Sequence, residues 1–277
     1  IIRDRIFLMV QIVKTTFKYI FAFPQIIFHK LRGIRGGYHD LATFFRYFPL
    51  GKIHKDNTVS FHFQGKKVRF FYGDLQPMAT GIFKNGEYEK VNVKDKVVVD
   101  IGAALGDTAI YFALKGAKRV YGYELNKRYY NIAQKNIDLN NLINKISIEY
   151  CGIASKKIKS SDEILGAIME EKDIHSVDSA NFKTLDQIVR ERNIQNAVLK
   201  IDVDGFEYDI LHSAHKDTFS CFDSIYLEYH FGVQDLEKKL IEVGFSVQKL
   251  EICKVNIERH PSRYQNMDIG FLADTRV

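Results

Sequence analysis

The stretch that decides the fold is "VVVDIGAALGDTAIYFALKGAKRVYGYELN", residues 97–126. A β-branched run, Val97 to Val99, leads into Asp100, and Thr108 to Leu114 reads as a helix, so Gly102 and Gly106 fall where a strand hands over to a helix. Glycines in such a turn imply that something lies close to the backbone. A dinucleotide fingerprint requires G-x-G-x-x-G, with the helix N-terminus receiving a pyrophosphate. The spacing here is Asp100-x-Gly102-x-x-x-Gly106, and Asp107 puts a carboxylate where that pyrophosphate would sit. No Gly-Lys-Ser/Thr follows, which argues against a nucleoside triphosphate. A zwitterionic ligand carrying a sulfonium tolerates these acids better.

Outward from this turn, apolar strands alternate with helical stretches. Strands are predicted at 97–101, 119–123, 146–150, 197–201, 224–229, 246–255 and 267–273, and helices at 107–115, 127–140, 184–193, 205–213 and 234–243. Strands separated by helices give an α/β fold, a doubly wound and mostly parallel seven-stranded sheet. The last two strands have no helical pattern between them and predict a closing antiparallel hairpin. Ahead of the core, "TVSFHFQG" and "KKVRFFYG" flank Gly65 and read as another hairpin. The expected organisation is an amphipathic, helical extension over 1–56, a β-hairpin lead-in over 57–96 and a catalytic domain over 97–277.

Composition narrows the class. The chain has 277 residues with 46% hydrophobic side chains, enough for a full core, and only 3 cysteines without CxxC spacing. That argues against a disulfide framework or a zinc site and for a reducing compartment, by default the cytoplasm. The net charge of +6 is uneven, because the first 96 residues carry +10 and the remainder −4. An anionic partner for the N-terminal part follows, such as a phospholipid surface, a lipid pyrophosphate or RNA, as does a merely solvated basic surface. Residues 6–31, "IFLMVQIVKTTFKYIFAFPQIIFHKL", are rich in large apolar side chains but contain Lys14, Lys18 and Pro24, a poor pattern for a spanning helix or a secretory signal. The segment reads as an amphipathic helix that packs on the body of the protein, lies peripherally in a membrane interface or joins two subunits. The oligomeric state stays open.

Candidate site residues sit at strand ends. Glu124 closes "RVYGYE" and can accept both hydroxyls of a ribose. Asp202 ends the strand in "VLKIDVDGFEYDIL", facing the cleft of a doubly wound sheet, as a base or orienting group. Asp204 and Glu207 have the spacing of a capping box, which would explain both without chemistry. In "LEYH", Glu228 and His230 are two apart and share a side. They could deprotonate a hydroxyl, join Asp202 as ligands of a divalent metal, or be satisfied polar groups at a strand end. The other histidines form no cluster with ligand spacing.

With these residues in place, "VVVDIGAALGDTAIYFALKGAKRVYGYELNKRYYNIAQKNIDLNNL" resembles the cofactor half of class I S-adenosylmethionine-dependent methyltransferases. The "GDT" after the glycine loop, "TLDQIV", "VLKIDVDGFEYDIL" and "SIYLEYH" are similar, in order, to segments of the FkbM family. The resemblance covers about residues 86–250. It implies a Rossmann-like fold and S-adenosylmethionine as cofactor. The methionine part would lie at Asp100, Gly102, Ala103, Gly106, Asp107 and Thr108, the ribose at Glu124, Leu125 and Asn126, and the adenine near Cys151, Gly152 and Ile153, with Asp202 at the reacting end. Asp204 stands where the family has glutamate, one methylene shorter, and no acid follows the third strand to take the adenine amine. The resemblance further implies O-methylation of a hydroxyl, in particular of a sugar in a glycan or glycolipid. Two rivals remain in view: an RNA (tRNA) methyltransferase, favoured by the basic N-terminal third and disfavoured by a fourth strand without an Asn/Asp-Pro-Pro-aromatic loop, and a non-catalytic cofactor-binding or membrane-scaffold protein.

Overall fold

A computed structural model describes residues 51–71, 78–84, 86–155, 181–250 and 270–276. The apolar, basic segment 6–31 and the polar stretch 156–180 lie outside the described residues. The chain divides into two compact units, Ile1–Thr80 and Gly81–Val277.

In the first unit β1 (Lys52–Ile53), β2 (Thr58–Phe63) and β3 (Lys66–Phe71) form an antiparallel sheet in that order. The β2–β3 connection is the predicted hairpin. Gln64 and Gly65 both have positive φ, 47° and 75°, the two-residue turn whose twist matches that of the flanking strands. Val59, Val68 and Phe70 bury one face. A short helix, α1 (Met78–Lys84), follows.

In the second unit the remaining strands are β4 (Val97–Ile101), β5 (Arg119–Glu124), β6 (Ile146–Ile153), β7 (Asn181–Lys183), β8 (Ala197–Ile201), β9 (Phe222–Tyr229), β10 (Phe245–Leu250) and β11 (Gly270–Arg276). They form one sheet of 8 strands in the order β10-β11-β9-β8-β4-β5-β6-β7. The 7 predicted strands are all present, and β7 is an added edge of 3 residues, too short to show an alternating pattern in the sequence. Strands β7 through β9 by way of β4 run parallel, and β11 pairs antiparallel with both β9 and β10, the predicted closing hairpin. The last strand is described from Gly270, and residues 267–269 of its predicted span, like 251–255 of the strand before it, lie outside the described residues.

The helices are α2 (Asp107–Leu114), α3 (Lys127–Leu139), α4 (Leu185–Glu191), α5 (Glu207–Ser213), α6 (Lys216–Phe219) and α7 (Leu236–Glu242). Asn126 caps α3 by accepting from the backbone of Arg128 and Tyr129. Thr184 and Gln187 form a reciprocal capping box on α4. The central parallel strands are covered on both faces, which explains their nearly unbroken apolar sequence. All 5 residues of β8 are buried, Lys200 among them. Strand order reverses between β4 and β8, so the carboxyl ends of these two strands open the cleft in which a doubly wound sheet takes its ligand. No helix among the described residues is long and apolar enough to cross a membrane.

Candidate active site

The turn after β4 is built tightly around the chain itself. Gly102 has φ +80°, and a Cβ there would overlap the carbonyl oxygen of Asp202 and lie 2.9 Å from its carbonyl carbon. The close approach expected at Gly102 is therefore made by β8's own continuation, where Asp202 N also donates to Ile101 O at 3.1 Å. Gly106, φ +75°, stands at the N-terminus of α2, where no side chain caps the helix. Asp100 is fully buried. Its Oδ2 accepts from Thr108 Oγ1 at 2.6 Å, and its Oδ1 lies 3.1 Å from Lys200 Nζ. Lys200 also donates to Gly102 O at 2.8 Å. Asp100, Thr108 and Lys200 thus lock the glycine turn onto the switch point.

Asp107 differs. It is buried in the first turn of α2, and its Oδ2 has no hydrogen-bond partner among the described residues. Burial pushes its carboxyl up to about 6. At the end of β5, Glu124 accepts from Ala104 N at 2.7 Å through Oε2 and from Asn126 N at 2.6 Å through Oε1. Burial pushes Glu124 up to about 7 against those two bonds. Each oxygen keeps a lone pair for a further donor. Ala103 and Ala104 are buried, whereas Leu125 is half-buried and reaches toward Gly152. Gly152 and Ile153 lie inside the sheet beside β7, and a Cβ at Gly152 would run into the Phe182 ring. Cys151 beside them is buried, which pushes its thiol up to about 12 and keeps it protonated.

On the other side of the cleft a carboxylate–imidazole cluster gathers at the ends of β8 and β9. His230 Nδ1 pairs with Glu207 Oε1 at 2.5 Å. Its Nε2 lies 3.4 Å from Asp204 Oδ1 and 3.9 Å from both Asp202 Oδ1 and Glu228 Oε1. Asp202, Asp204, Glu228 and His230, the candidates named from the sequence, are therefore together. The capping box between Asp204 and Glu207 does not form. Phe206 is the N-cap of α5, Asp204 sits at φ +51° ahead of Gly205, and Glu207 turns inward, fully buried, to hold His230. Burial lowers the His230 pKa, but the bond to Glu207 and the charges of Asp202, Glu207 and Asp204 outweigh it and leave the imidazole raised. Glu228 is pushed up to about 10 by burial and by the charges of Asp202 and Glu87.

The Methyltransferase FkbM domain model matches residues 100–268. The chain belongs to the FkbM methyltransferase family. Among curated relatives, 50 residues of this FkbM chain, 18% of it, are 40% identical to uncharacterized protein 158B of Sulfolobus islandicus rod-shaped virus 1, covering 32% of that protein. A stretch of 92 residues, 33% of the chain, is 32% identical to the ribosomal protein L11 methyltransferase of Streptococcus uberis and covers 29% of it. The alignments thus span about a third of the length of these relatives. Among solved structures, M. capricolum TrmK in complex with S-adenosyl-homocysteine aligns over 70% of this chain and 67% of its own, with 14% identity and a TM-score of 0.47.

The residues present fit the cofactor of an FkbM methyltransferase. The orphaned carboxylate oxygen of Asp107 is a buried acceptor in need of a donor, which an ammonium group supplies. The buried cation at the turn, Lys200, is already engaged by Asp100 and by the Gly102 carbonyl, so the site opposes a pyrophosphate and suits a ligand with positive charge. Several members of this site were not singled out by sequence reading. Glu87 precedes β4 without any motif; burial and the charge of Asp202 push it up to about 7, and Tyr226 fastens its segment by donating to Glu87 O at 3.0 Å. Phe182 lies between the predicted strand 146–150 and the predicted helix 184–193, in a strand of 3 residues that shows no pattern. Lys200 was legible as the one charge in an otherwise apolar strand.

The raised Glu124 pKa gives a signed expectation for binding of S-adenosylhomocysteine. Ribose hydroxyls favour the charged carboxylate, so the complex has the lower pKa and binding releases a proton below the free-protein value of about 7. Affinity measured by calorimetry should fall toward tenfold per pH unit below neutrality, about 1.4 kcal/mol per unit. Glu124→Gln should remove that slope and weaken binding by about 1–3 kcal/mol. An affinity independent of pH in the wild type would leave Glu124 only the task of holding the Ala104 and Asn126 amides.

Proposed function

We propose that this FkbM-family chain transfers a methyl group from S-adenosylmethionine to a hydroxyl oxygen, of a sugar in a glycan or glycolipid. The observation that carries the reading is the Asp202–Glu228–His230 cluster, oriented by Glu207, at the switch point opposite Asp107 and Glu124. The cofactor supplies a methyl on a cationic sulfur. As the carbon–oxygen bond forms in place of the carbon–sulfur bond, the hydroxyl proton would leave to the cluster, in which the carboxylates of Asp202 and Asp204 are the acceptors. Positioning is the larger part of the task, since an aligned displacement needs little else from the protein.

The groups gathered on the acceptor side, Glu87, Asp202, Asp204 and Glu228, are hydrogen-bonding partners for a polyol, and the carboxylates of Asp202 and Asp204 are unfavourable neighbours for phosphate. Phe231, 38% exposed and tilted against Tyr208, adds an apolar ring face next to His230. These features favour a neutral sugar over an RNA acceptor, although the basic first third of the chain keeps RNA in the test. If the acceptor is lipid-linked, residues 6–31 would supply peripheral membrane contact on the cytoplasmic side.

Incubation with methyl-labelled cofactor and separated lipid-linked glycan, RNA and protein fractions decides between acceptors. Label in the glycan fraction as a methyl ether is expected. Label confined to RNA or protein would overturn the reading, and cofactor binding without turnover on any fraction would favour a non-catalytic role. Asp202→Asn should lower turnover roughly 10²-fold, the scale of losing a positioned proton acceptor, while S-adenosylhomocysteine affinity changes less than about threefold. Wild-type turnover in that variant would move the role to Asp204, Glu228 or His230.

A further inference from the structure

The acceptor-side cluster has the composition and spacing of a metal centre. Carboxylate oxygens of Asp202 and Glu228 and a ring nitrogen of His230 all lie within 4.8 Å of one another. Two atoms bound about 2.1 Å from one ion stand about 3–4.2 Å apart. The separations from His230 Nε2 to Asp202 Oδ1 and Glu228 Oε1, both 3.9 Å, fall in that interval.

A second feature is independent of the acids. The His230 side chain is 6% exposed, and its Nδ1 is committed to Glu207, which fixes the ring and aims Nε2 among the carboxylates. At 3.4–3.9 Å, Nε2 stands beyond the 3.2 Å that bounds a usual N–H···O bond, about 2.7–3.2 Å. An imidazole held by a buried carboxylate through one nitrogen, with the other directed at oxygen ligands, is how proteins orient a metal-binding histidine. The surrounding oxygen donors agree. Glu87, Asp202, Asp204, Glu207 and Glu228 surround this end of the cleft, and the Lys200 ammonium is engaged by Asp100 at 3.1 Å and stands 3.7 Å from Asp202.

We propose that Asp202, Glu228 and His230 bind one divalent cation of the Mg²⁺/Mn²⁺ class. Two oxygen ligands and one imidazole suit Mn²⁺, leaving coordination positions for two oxygens of an acceptor. The use of the site rests on the hydroxyl-methylation reading; its existence does not. There a bound ion would hold neighbouring hydroxyls and acidify the one to be methylated, whose proton would pass to the carboxylates beside it.

The test is a titration of the purified full chain with Mn²⁺ alone, followed by electron paramagnetic resonance, without acceptor or turnover. One bound Mn²⁺ per chain is expected, displaced by excess Mg²⁺. Glu228→Gln and His230→Gln should each weaken it at least tenfold, and Glu207→Gln should weaken it about tenfold by releasing the ring. Asp202→Asn, half-buried and isosteric, serves if the buried replacements fail to fold, and circular dichroism checks each variant. No Mn²⁺ bound at millimolar concentration, or binding unchanged in both Asp202→Asn and Glu228→Gln, would overturn the proposal. Specific Mn²⁺ binding with label found only in RNA or protein would support the site and remove the sugar reading; a methylated glycan without bound Mn²⁺ would do the reverse.

Discussion

Lys200→Met is expected to cost about 3–5 kcal/mol of stability, the range for removing one partner of a buried ion pair. Lys200 is 1% exposed, and its ammonium neutralises Asp100, which is 0% exposed and otherwise holds only Thr108 among the described residues. Methionine nearly matches the volume of the lysine stem, so the loss reports the stranded carboxylate rather than a cavity. The same ammonium donates to Gly102 O, so the glycine turn should loosen and S-adenosylhomocysteine affinity should fall with stability.

The pH dependence separates this cause from poor packing. Burial already raises Asp100, and without the lysine it rises further. A carboxyl raised in the folded state favours folding where it is protonated, and that support is lost as pH rises through the folded value. The deficit of Lys200→Met should therefore shrink on acidification, and Asp100→Asn in the same chain should recover part of it. Thermal melts at several pH values measure this, with a drop of about 10 °C expected near neutrality from the usual 2–4 °C per kcal/mol in a domain of this size. A drop under about 2 °C would show that Asp100 finds another partner.

The β4 turn and the strand–helix alternation were legible because they depend on local chemistry, β-branched runs and glycines at positive φ, whereas the caps Asn126 and Thr184 emerge only from the structure. The strand-end acids were legible for the same reason, since parallel strands bring their carboxyl ends to the same side of the sheet. What was not legible depends on contacts between distant residues. Glu207 looked like a helix cap because Asp204 precedes it at the right interval, and only the return of β9 shows that it serves His230, 23 residues on. Phe182 gains its place by pairing with Gly152 along a 3-residue strand that offers no period to read. Gly102 was legible as a point of close approach, yet the partner is Asp202, brought there by the reversal of strand order.

That last contact makes Gly102→Ala the substitution with the largest expected effect. Two costs would combine there. A non-glycine residue held at φ +80° is strained by roughly 1–3 kcal/mol. The added Cβ would also overlap the Asp202 carbonyl, which cannot turn aside as a flexible side chain would, because Asp202 N is bonded to Ile101 O at the switch point. Other glycines of the chain allow the two costs to be told apart. Gly244 has φ +97° with nothing within 4 Å of an added methyl, so Gly244→Ala carries the conformational cost alone. Gly106 has φ +75° and would meet Ala133 Cβ at 3.2 Å, a contact that a small shift of α3 relieves. The expected order of destabilisation in chemical melts is Gly102 far above Gly106, and Gly106 above Gly244, with about 1 kcal/mol for the last and more than about 4 kcal/mol, or failure to fold, for the first. Loss of S-adenosylhomocysteine binding should follow the same order, because displacing Asp202 opens the cleft between β4 and β8. Equal losses at Gly102 and Gly244 would mean that backbone strain is the whole cost and that the β4–β8 crossing gives way without penalty.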